Sequence, residues 1–170
     1  MDLEILIFIR NHLTNPIFDA IAKGFNPFMV ITILYVAIAI MMLISKRYRR
    51  YGILLLIILA LQSLIVSGII KPFVARPRPF LTYPVDLIVK APSEYSFPSG
   101  HATCVFAAAM LIYFANHKWG IFAFILALII ALSRLYLFVH YPSDVLAGAI
   151  LGSLVALLVI RIAQHYKFIE

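Results

Sequence analysis

Residues 52–70 read GILLLIILALQSLIVSGII, an uncharged run that is long enough to cross the hydrocarbon core of a bilayer. A transmembrane helix needs about 20 consecutive, predominantly apolar residues. Comparable apolar segments follow one another along the chain, at residues 28–44, 101–115, 120–139 and 145–163. We therefore predict an all-α protein, a polytopic membrane helix bundle of about five transmembrane helices.

The overall composition agrees with a membrane protein. The chain has 170 residues, of which 64% are hydrophobic and 12% charged, and its mean hydropathy is +1.04. Soluble domains carry about 25% charged residues, so the composition excludes an ordinary soluble domain and a disordered chain. The net charge of +7 comes from basic residues at the ends of apolar runs and in one loop, which excludes a nucleic-acid-binding face. The single cysteine, Cys104, excludes an intrachain disulfide framework and a cysteine-rich metal site.

The first 26 residues have a different pattern from the apolar runs. Apolar side chains recur at helical spacing between positions 17 and 25, and the pair Asn15-Pro16 interrupts the segment. This pattern predicts a helix or a helix pair that lies in the membrane interface, with a sixth span as the less favoured alternative. We expect the whole chain, 1–170, to form one membrane-embedded domain.

The distribution of basic residues predicts the orientation in the membrane. The sequence KRYRR at 46–50 joins the first two apolar runs, and the positive-inside rule places such a link in the cytoplasm. Counting onward, the loop at 117–118 and the C-terminal tail are also cytoplasmic, and both carry basic residues. The N-terminus and the loop 72–98 then lie outside, in a multi-pass protein of the cell membrane.

The loop 72–98 is rich in proline. Proline interrupts helices, and irregular chain is not tolerated against lipid, so we expect a folded outer loop that covers a functional site. Six of the nine prolines fall in this loop: Pro72, Pro77, Pro79, Pro84, Pro92 and Pro98.

Polar residues separated by up to about seventy positions fall on this same outer side of the membrane. Each lies at the outer end of a predicted helix or just beyond it, so we expect one common site. The set consists of Lys71, Arg78, Ser99, Gly100, His101, Arg134, His140 and Asp144.

These residue types suit the chemistry of a phosphoryl group. Several cations without matching carboxylates favour a multiply charged anion, and guanidinium groups fit phosphate oxygens. Ser99 can cap a helix that begins at Gly100, and a helix N-terminus binds anions. Asp144 can fix the tautomer of His140 and leave its other nitrogen free as a base or nucleophile. His101 is then a second imidazole, available as a proton donor.

At these residues the sequence resembles the type-2 phosphatidic acid phosphatases, a family of membrane lipid phosphate phosphatases. Three motifs carry the resemblance: Lys71-x6-Arg78-Pro79, then Pro98-Ser99-Gly100-His101, then Ser133-Arg134-x5-His140-x3-Asp144. They occur in order at helix ends, and the similar region covers roughly residues 52–163.

The resemblance implies a role for each motif residue. His140 would attack phosphorus to form a phosphohistidine, Asp144 would position it, and His101 would protonate the leaving lipid oxygen. Neither a metal nor another cofactor is expected, because side chains supply the positive charge. The groups that would hold the non-bridging oxygens are Lys71, Arg78, Ser99, the Gly100 amide and Arg134.

The predicted function is hydrolysis of a lipid phosphate monoester or diphosphate at the outer membrane face. Undecaprenyl diphosphate is a good candidate substrate, and phosphatidylglycerophosphate, phosphatidic acid and diacylglycerol diphosphate are rivals. One alternative is a transporter or flippase that binds phospholipid without cleaving it, although binding alone does not need an oriented imidazole. A vanadate-dependent peroxidase would use the same anion site, and membrane embedding argues against it.

Other charges of the outer loop are open to more than one interpretation. Arg76 repeats the Arg-Pro pair of the first motif at the wrong spacing from Lys71, so it either contacts phosphate or faces lipid headgroups. Asp86, Lys90 and Glu94 are expected to be solvated charges or contacts to the substrate headgroup.

The pair Gly148-x3-Gly152 is a small-residue pattern typical of close helix packing. We expect it to pack against another helix of the same chain rather than to form a dimer contact.

Overall fold

The computed structural model describes residues 1–169, and all the regular secondary structure in that range is helical. The predicted all-α fold is therefore confirmed. The helices are α1 (Asp2–His12), α2 (Pro16–Gly24), α3 (Phe28–Ile44), α4 (Arg49–Ser63), a π-helical segment (Leu64–Ile70), α5 (Lys71–Val74), α6 (Pro79–Thr82), α7 (Gly100–Ala115), α8 (His117–Tyr136) and α9 (Pro142–His165).

Several helices are long and apolar enough to cross a membrane. Three helical segments within residues 1–169 meet this test, Arg49–Thr82, α8 and α9, and α2 with α3 adds a fourth if this pair, bent by 60°, is one span. Helix α7 is apolar but has only 16 residues. The protein is a multi-pass membrane bundle, while the number of five spans stays a prediction.

Helix α7 lies at the centre of the bundle, between α4, α8 and α9. Its buried side chains are mostly small, among them Ala102, Cys104, Ala107 and Ala108, so neighbouring helices can approach its backbone closely. Large apolar residues such as Ile33, Phe122 and Leu146 are instead exposed on the outer helices, where lipid tails would contact them.

The contact between α7 and α9 depends on two glycines. A Cβ atom added at Gly152 would lie 2.1 Å from the carbonyl oxygen of Thr103, and one at Gly148 would lie 2.7 Å from that of Ser99. Both distances are far below van der Waals contact, so a larger residue would push the helices apart. The prediction that this pair packs within the chain is confirmed, and the close approach brings the start of α7 next to the start of α9.

The N-terminal segment forms the predicted helix pair. The side chain of Asn15 caps α2, because its Oδ1 accepts hydrogen bonds from the backbone N–H of Ile17 at 3.0 Å and of Phe18 at 2.9 Å. Leu6 of α1 is fully buried in a cluster with Ala131 of α8. The pair therefore packs on the end of the bundle where α8 ends; its place in the membrane interface stays a prediction.

The proline-rich loop 72–98 is folded over the same end of the bundle. It contains the short helices α5 and α6, and Phe80 and Leu87 pack on the cluster around Leu6. The next residues, Ile88 and Val89, pack against the cluster that contains Tyr136 at the end of α8. The loop thus covers the region in which α7 begins, α8 ends and α9 begins.

Candidate active site

A cavity of about 350 Å³ opens beneath the proline-rich loop. Six of the eight residues predicted for the site line it, namely Lys71, Arg78, Gly100, His101, Arg134 and His140. The other two, Ser99 and Asp144, are completely buried next to lining residues. The structure therefore brings together residues of α5, α7, α8 and α9 and of the segments that connect them, as the topology predicted.

The chain reaches His140 through an unusual backbone turn after α8. Phe138 has a φ of 60°, in the left-handed region that side-chain-bearing residues rarely adopt. The turn places the buried His140 so that its Nε2 lies 3.3 Å from Arg78 Nη1. A guanidinium can only donate hydrogen bonds, so Nε2 presents its lone pair and the neutral ring carries its hydrogen on Nδ1. That Nδ1 lies 3.5 Å from Asp144 Oδ2, longer than a good hydrogen bond.

The surroundings of His140 favour its neutral form. Burial lowers the pKa of His140 to about 4, and the nearby cations Arg78 and Lys71 act in the same direction, while Asp144 opposes the shift. At neutral pH the imidazole is therefore unprotonated, and Nε2 keeps its lone pair, which accepts the hydrogen bond from Arg78.

Asp144 lies in the first turn of α9 and is fully buried. Its Oδ2 accepts hydrogen bonds from the Ser96 hydroxyl and, at 2.9 Å, from the backbone N–H of Tyr141. Its Oδ1 accepts a hydrogen bond of 2.6 Å from Arg76 Nη1. Both carboxylate oxygens are thus fixed, and the carboxylate can hold only one orientation toward His140.

Arg78 is buried and held by backbone carbonyl groups. Its Nε donates to the carbonyl oxygen of Glu94 at 2.6 Å, and its Nη1 donates to that of Val139 at 2.9 Å. The arrangement keeps a cation at the cavity wall without a side chain that neutralises it directly.

Lys71 is paired with the carboxylate of Glu94, which we expected to be a solvated charge or a headgroup contact. Its Nζ donates a hydrogen bond to Glu94 Oε2 and forms a salt bridge with it. The hydrogen bond to Lys71 lowers the pKa of Glu94, although the side chain of Glu94 is 62% exposed. The ammonium group keeps N–H donors for an anion, but the Glu94 carboxylate offsets part of its positive charge.

The second imidazole, His101, has a different set of neighbours. Its Nε2 lies 3.1 Å from the carbonyl oxygen of Asn26 and 3.3 Å from Arg134 Nη1. The ring also packs edge-on against Phe28, with 5.1 Å between ring centroids. Arg134 is almost fully buried, and its Nη2 donates to the carbonyl oxygen of Phe25 at 3.0 Å. The connection between α2 and α3 therefore forms the wall on this side.

Ser99 and Gly100 begin α7 as the sequence predicted. The Ser99 hydroxyl oxygen accepts a hydrogen bond of 3.4 Å from the backbone N–H of Ala102, which is the capping contact. The backbone N–H of Ser99 donates to the carbonyl oxygen of Asp144 at 3.0 Å. Gly100 lines the cavity, so the helix N-terminus faces the space where an anion would bind. A phosphate contact of the Ser99 hydroxyl stays a prediction.

Arg76 corrects the sequence interpretation. We expected it to contact phosphate or face lipid headgroups, but its guanidinium binds Asp144 and Asp2 and lies over the ring of Tyr141. Among residues 1–169, the cavity lining includes Arg78 but not Arg76. The two arginines therefore face different sides of the same loop.

Several further residues contribute to the site without having been predicted, among them Asn26, Phe28 and Ser96. Glu94, which we expected as a solvated charge or a headgroup contact, lines the cavity and pairs with Lys71. Asn26 acts through its backbone carbonyl group, which every residue has, so no residue type identifies it. Glu94 and Ser96 lie just before the second motif, and their closeness to Ser99 is the one signal that pointed to them.

The PAP2 superfamily model matches residues 50–167, which contain all three motifs. The chain belongs to the PAP2 superfamily, and the resemblance inferred from the motifs is confirmed.

Two curated relatives and one solved structure illustrate the similarity. An undecaprenyl-diphosphatase of Sulfolobus acidocaldarius is 35% identical over 130 residues, 75% of this chain and 63% of that protein. The bacitracin transport permease protein BcrC of Bacillus licheniformis is 35% identical over 121 residues, 68% of this chain and 60% of that protein. This chain thus matches less than two thirds of the length of either relative.

The solved structure matches over a larger share of both chains. It is the crystal structure of a transmembrane PAP2-type phosphatidylglycerolphosphate phosphatase from Bacillus subtilis, with a TM-score of 0.81 and 26% identity. The match covers 96% of this chain and 85% of that one, so it includes the N-terminal helices that lie outside the family match.

Proposed function

We propose that this protein is a membrane lipid phosphatase that hydrolyses a lipid phosphate monoester or diphosphate through a phosphohistidine. The observation that carries the proposal is the cavity in which two imidazoles face the side chains of Lys71, Arg78 and Arg134. A cation-lined pocket alone suits any phosphate ligand, whereas two imidazoles with different partners suit proton transfer and nucleophilic attack. The names of the relatives support the same class of reaction.

In the first step, Nε2 of His140 attacks phosphorus and the bond between phosphorus and the lipid oxygen breaks. The electron pair of that bond goes to the lipid oxygen, which takes a proton from His101. The negative charge of the bound phosphate stabilises the protonated form of this ring, which the neighbouring Arg134 guanidinium disfavours. Asp144 stabilises the positive charge that develops on the His140 ring, whose Nδ1–H faces it. Lys71, Arg78, Arg134 and the start of α7 stabilise the charge on the non-bridging oxygens.

In the second step, water attacks the phosphorus of the phosphohistidine and gives a proton to His101, which is now neutral. The bond between phosphorus and Nε2 breaks, and its electron pair returns to His140. Inorganic phosphate then leaves, and both imidazoles are back in their starting protonation states. The cycle needs no electron carrier, and every proton is accounted for by the two histidines and water.

The preferred substrate class is an isoprenoid diphosphate, with phosphatidylglycerophosphate, phosphatidic acid and diacylglycerol diphosphate as rivals. The helices around the cavity have exposed apolar faces, which suits a lipid whose tail stays in the membrane while its headgroup enters the pocket. The orientation that the basic residues predict places the cavity on the extracytoplasmic side of the cell membrane.

The decisive experiment measures inorganic phosphate released from purified lipid phosphates by the protein in detergent, with His140→Ala as the matched inactive variant. We expect release from at least one lipid diphosphate or monophosphate, inhibition by vanadate, and a rate that EDTA leaves unchanged. Quenching in alkaline detergent after labelling with ³²P-substrate should trap a phosphoenzyme that is stable to alkali and is lost on acid treatment. Binding of these lipids without release of phosphate would instead support a transporter or flippase.

The orientation is tested separately by cysteine labelling. Asp86 and Arg47 are both exposed, and lie in the outer loop and in the basic segment that precedes α4. In intact cells, a membrane-impermeant maleimide should label Asp86→Cys but not Arg47→Cys. Labelling of both positions, or the reverse pattern, would contradict an extracytoplasmic site.

A further inference from the structure

Arg76 has a place in the fold that the proposed chemistry does not use. It follows Ala75, whose φ of 48° ends α5, and its carbonyl oxygen accepts a hydrogen bond of 2.9 Å from the backbone N–H of Ser96. The backbone of Arg76 is thus tied to the residue whose hydroxyl binds Asp144. This places the Arg76 side chain on the carboxylate rather than in the cavity.

The guanidinium of Arg76 binds two carboxylates at once. Its Nη1 lies 2.6 Å from Asp144 Oδ1 and 2.7 Å from the Ser143 hydroxyl oxygen, and its Nη2 lies 3.1 Å from Asp2 Oδ2. The Ser143 hydroxyl also donates to Asp2 Oδ2. The group lies 4.0 Å above the ring centroid of Tyr141, so its plane is fixed as well as its charge.

The two oxygens of Asp144 have separate tasks. Oδ1 faces Arg76, whereas Oδ2 accepts from Ser96 and Tyr141 and faces the His140 ring. A fully buried carboxylate without a cation is strongly disfavoured, so Arg76 compensates the charge that Asp144 presents to His140. If Arg76 were removed, Oδ1 would lose its partner and the buried charge its cation, and only Ser96 and Tyr141 would still hold the carboxylate opposite Nδ1.

We propose that Arg76 is a positioning residue for the reaction, which holds Asp144 and through it the nucleophile His140, and that Asp2 and Ser143 hold Arg76 in turn. The inference rests on the proposed function, because it assigns Arg76 a part in that reaction. It also assigns a role to the N-terminal helix α1, because Asp2 of this helix binds Arg76, which in turn binds Asp144. Outer positioning groups of this kind typically change activity by about 10–100-fold when they are removed.

The test is a double-mutant cycle on phosphate release, with wild type, Arg76→Ala, Asp144→Asn and the double variant. We expect Arg76→Ala to lower kcat about 10–100-fold while KM changes less than about threefold, because the cations of the cavity are untouched. If Arg76 acts through Asp144, the double variant should be no slower than Asp144→Asn alone. Arg76→Lys should recover part of the loss, since an ammonium can reach one carboxylate oxygen but not both.

Arg10→Ala is the matched control. Arg10 Nη2 donates to the carbonyl oxygen of Asp86 at 2.8 Å, so it also ties α1 to the outer loop, but it binds a backbone group instead of Asp144. We expect it to change kcat less than about twofold. Asp2→Asn should lower kcat in the same direction as Arg76→Ala but by a smaller factor, and it keeps the test available if Arg76→Ala does not fold.

Several results would overturn the inference. If the fold losses of Arg76→Ala and Asp144→Asn multiply in the double variant, the two residues have independent roles. If Arg76→Ala leaves kcat unchanged and raises KM, Arg76 is a substrate contact. Equal losses in Arg76→Ala and Arg10→Ala would reduce the role to anchoring α1. A wild-type protein that releases no phosphate would overturn the proposed function together with this inference, whereas an active wild type with additive variants would overturn the inference alone.

Discussion

The two imidazoles that face the cavity are held by different kinds of partner. His140 faces a fully buried carboxylate that is itself fixed by Ser96, Tyr141 and Arg76. His101 faces the carbonyl oxygen of Asn26 and the guanidinium of Arg134. A carboxylate stabilises positive charge on its imidazole, while a carbonyl oxygen mainly orients the ring, so the first arrangement suits a nucleophile and the second a group that exchanges protons.

The surroundings of His140, which we call the nucleophile half of the site, and those of His101, the His101 half, also draw on different parts of the chain. The groups around His140 belong to residues 71–144 and lie within the region that the family model matches. The wall around His101 includes Phe25, Asn26 and Phe28, which precede that region. The matched region therefore contains the whole surroundings of His140, whereas the bend between α2 and α3 completes the wall around His101.

The largest expected effect is on the nucleophile half. His140→Ala should lower phosphate release by at least about 10⁴-fold for every substrate, because the atom that attacks phosphorus is gone. The trapped phosphoenzyme should disappear together with turnover, which distinguishes loss of the nucleophile from slow product release. Near-normal activity in this variant would remove the distinction between the two halves, since His140 would then have no special role.

His101→Ala should be severe in a different way. Loss of a general acid typically costs about 10²–10⁴-fold, and the cost falls when the leaving group is a weak base that needs no proton. We therefore expect a larger loss for a lipid monophosphate than for p-nitrophenyl phosphate, and phosphoenzyme should still form from the latter. An equal loss for both substrates would contradict a proton-donor role for this half of the site.

How much of the site could be predicted depends on which groups hold it. Lys71, Arg78, Arg134 and the two histidines are charged or titratable residues at the ends of apolar runs, and such positions are conspicuous in a membrane protein. The direction in which a loop presents two nearby arginines is not encoded in their spacing, because it depends on the backbone turn at Ala75.

Some features of the fold could not be predicted from the sequence either. The apolar run 52–70 predicted a single helix, but the structure continues α4 through a π-helical segment into α5. Such a change of helix type arises from packing at a particular position, and apolar periodicity does not register it. By contrast, the Gly148 and Gly152 contact was predictable because only small residues permit that approach.

The pH dependence of the reaction probes the nucleophile half directly. Burial lowers the pKa of His140 to about 4, so the ring stays unprotonated as the pH falls through 6.5. Nε2 takes up a proton, and can no longer attack phosphorus, only near pH 4. Activity should therefore persist at pH 5.5 and fall about tenfold per unit below the pKa. The pH profiles of two substrates with different phosphate pKa values should fall at the same acidic pH, because the fall then comes from the enzyme and not from the substrate. A shared fall near pH 6.5 would contradict the effect of burial.

Glu94→Gln should have a smaller effect, and it should strengthen rather than weaken substrate binding. Removing the carboxylate takes away the negative charge that offsets Lys71 and competes with substrate phosphate, so KM should fall while kcat stays the same. Because Glu94 is 62% exposed, its pair with Lys71 resembles a surface ion pair worth about 0.2–1 kcal/mol, and the fall in KM should not exceed about fivefold. Inhibition constants for inorganic phosphate give a second measurement; a raised KM would instead make Glu94 a headgroup contact.

The smallest effect is expected on the His101 half, from Asn26→Ala. The side-chain Oδ1 of Asn26 lies 3.3 Å from Arg134 Nη1, but the contact to His101 comes from the backbone carbonyl oxygen, which the substitution leaves in place. A net hydrogen bond is worth about 0.5–1.5 kcal/mol, and this one is long, so kcat should fall only about two- to threefold. Asp144→Asn, the corresponding change on the His140 half, replaces an orienting carboxylate and should cost far more. Both variants should be measured on the same lipid phosphate. Comparable losses of kcat would show that both imidazoles depend on the side chains of their partners, which would contradict the contrast between a ring held by a carboxylate and a ring held by a backbone carbonyl group.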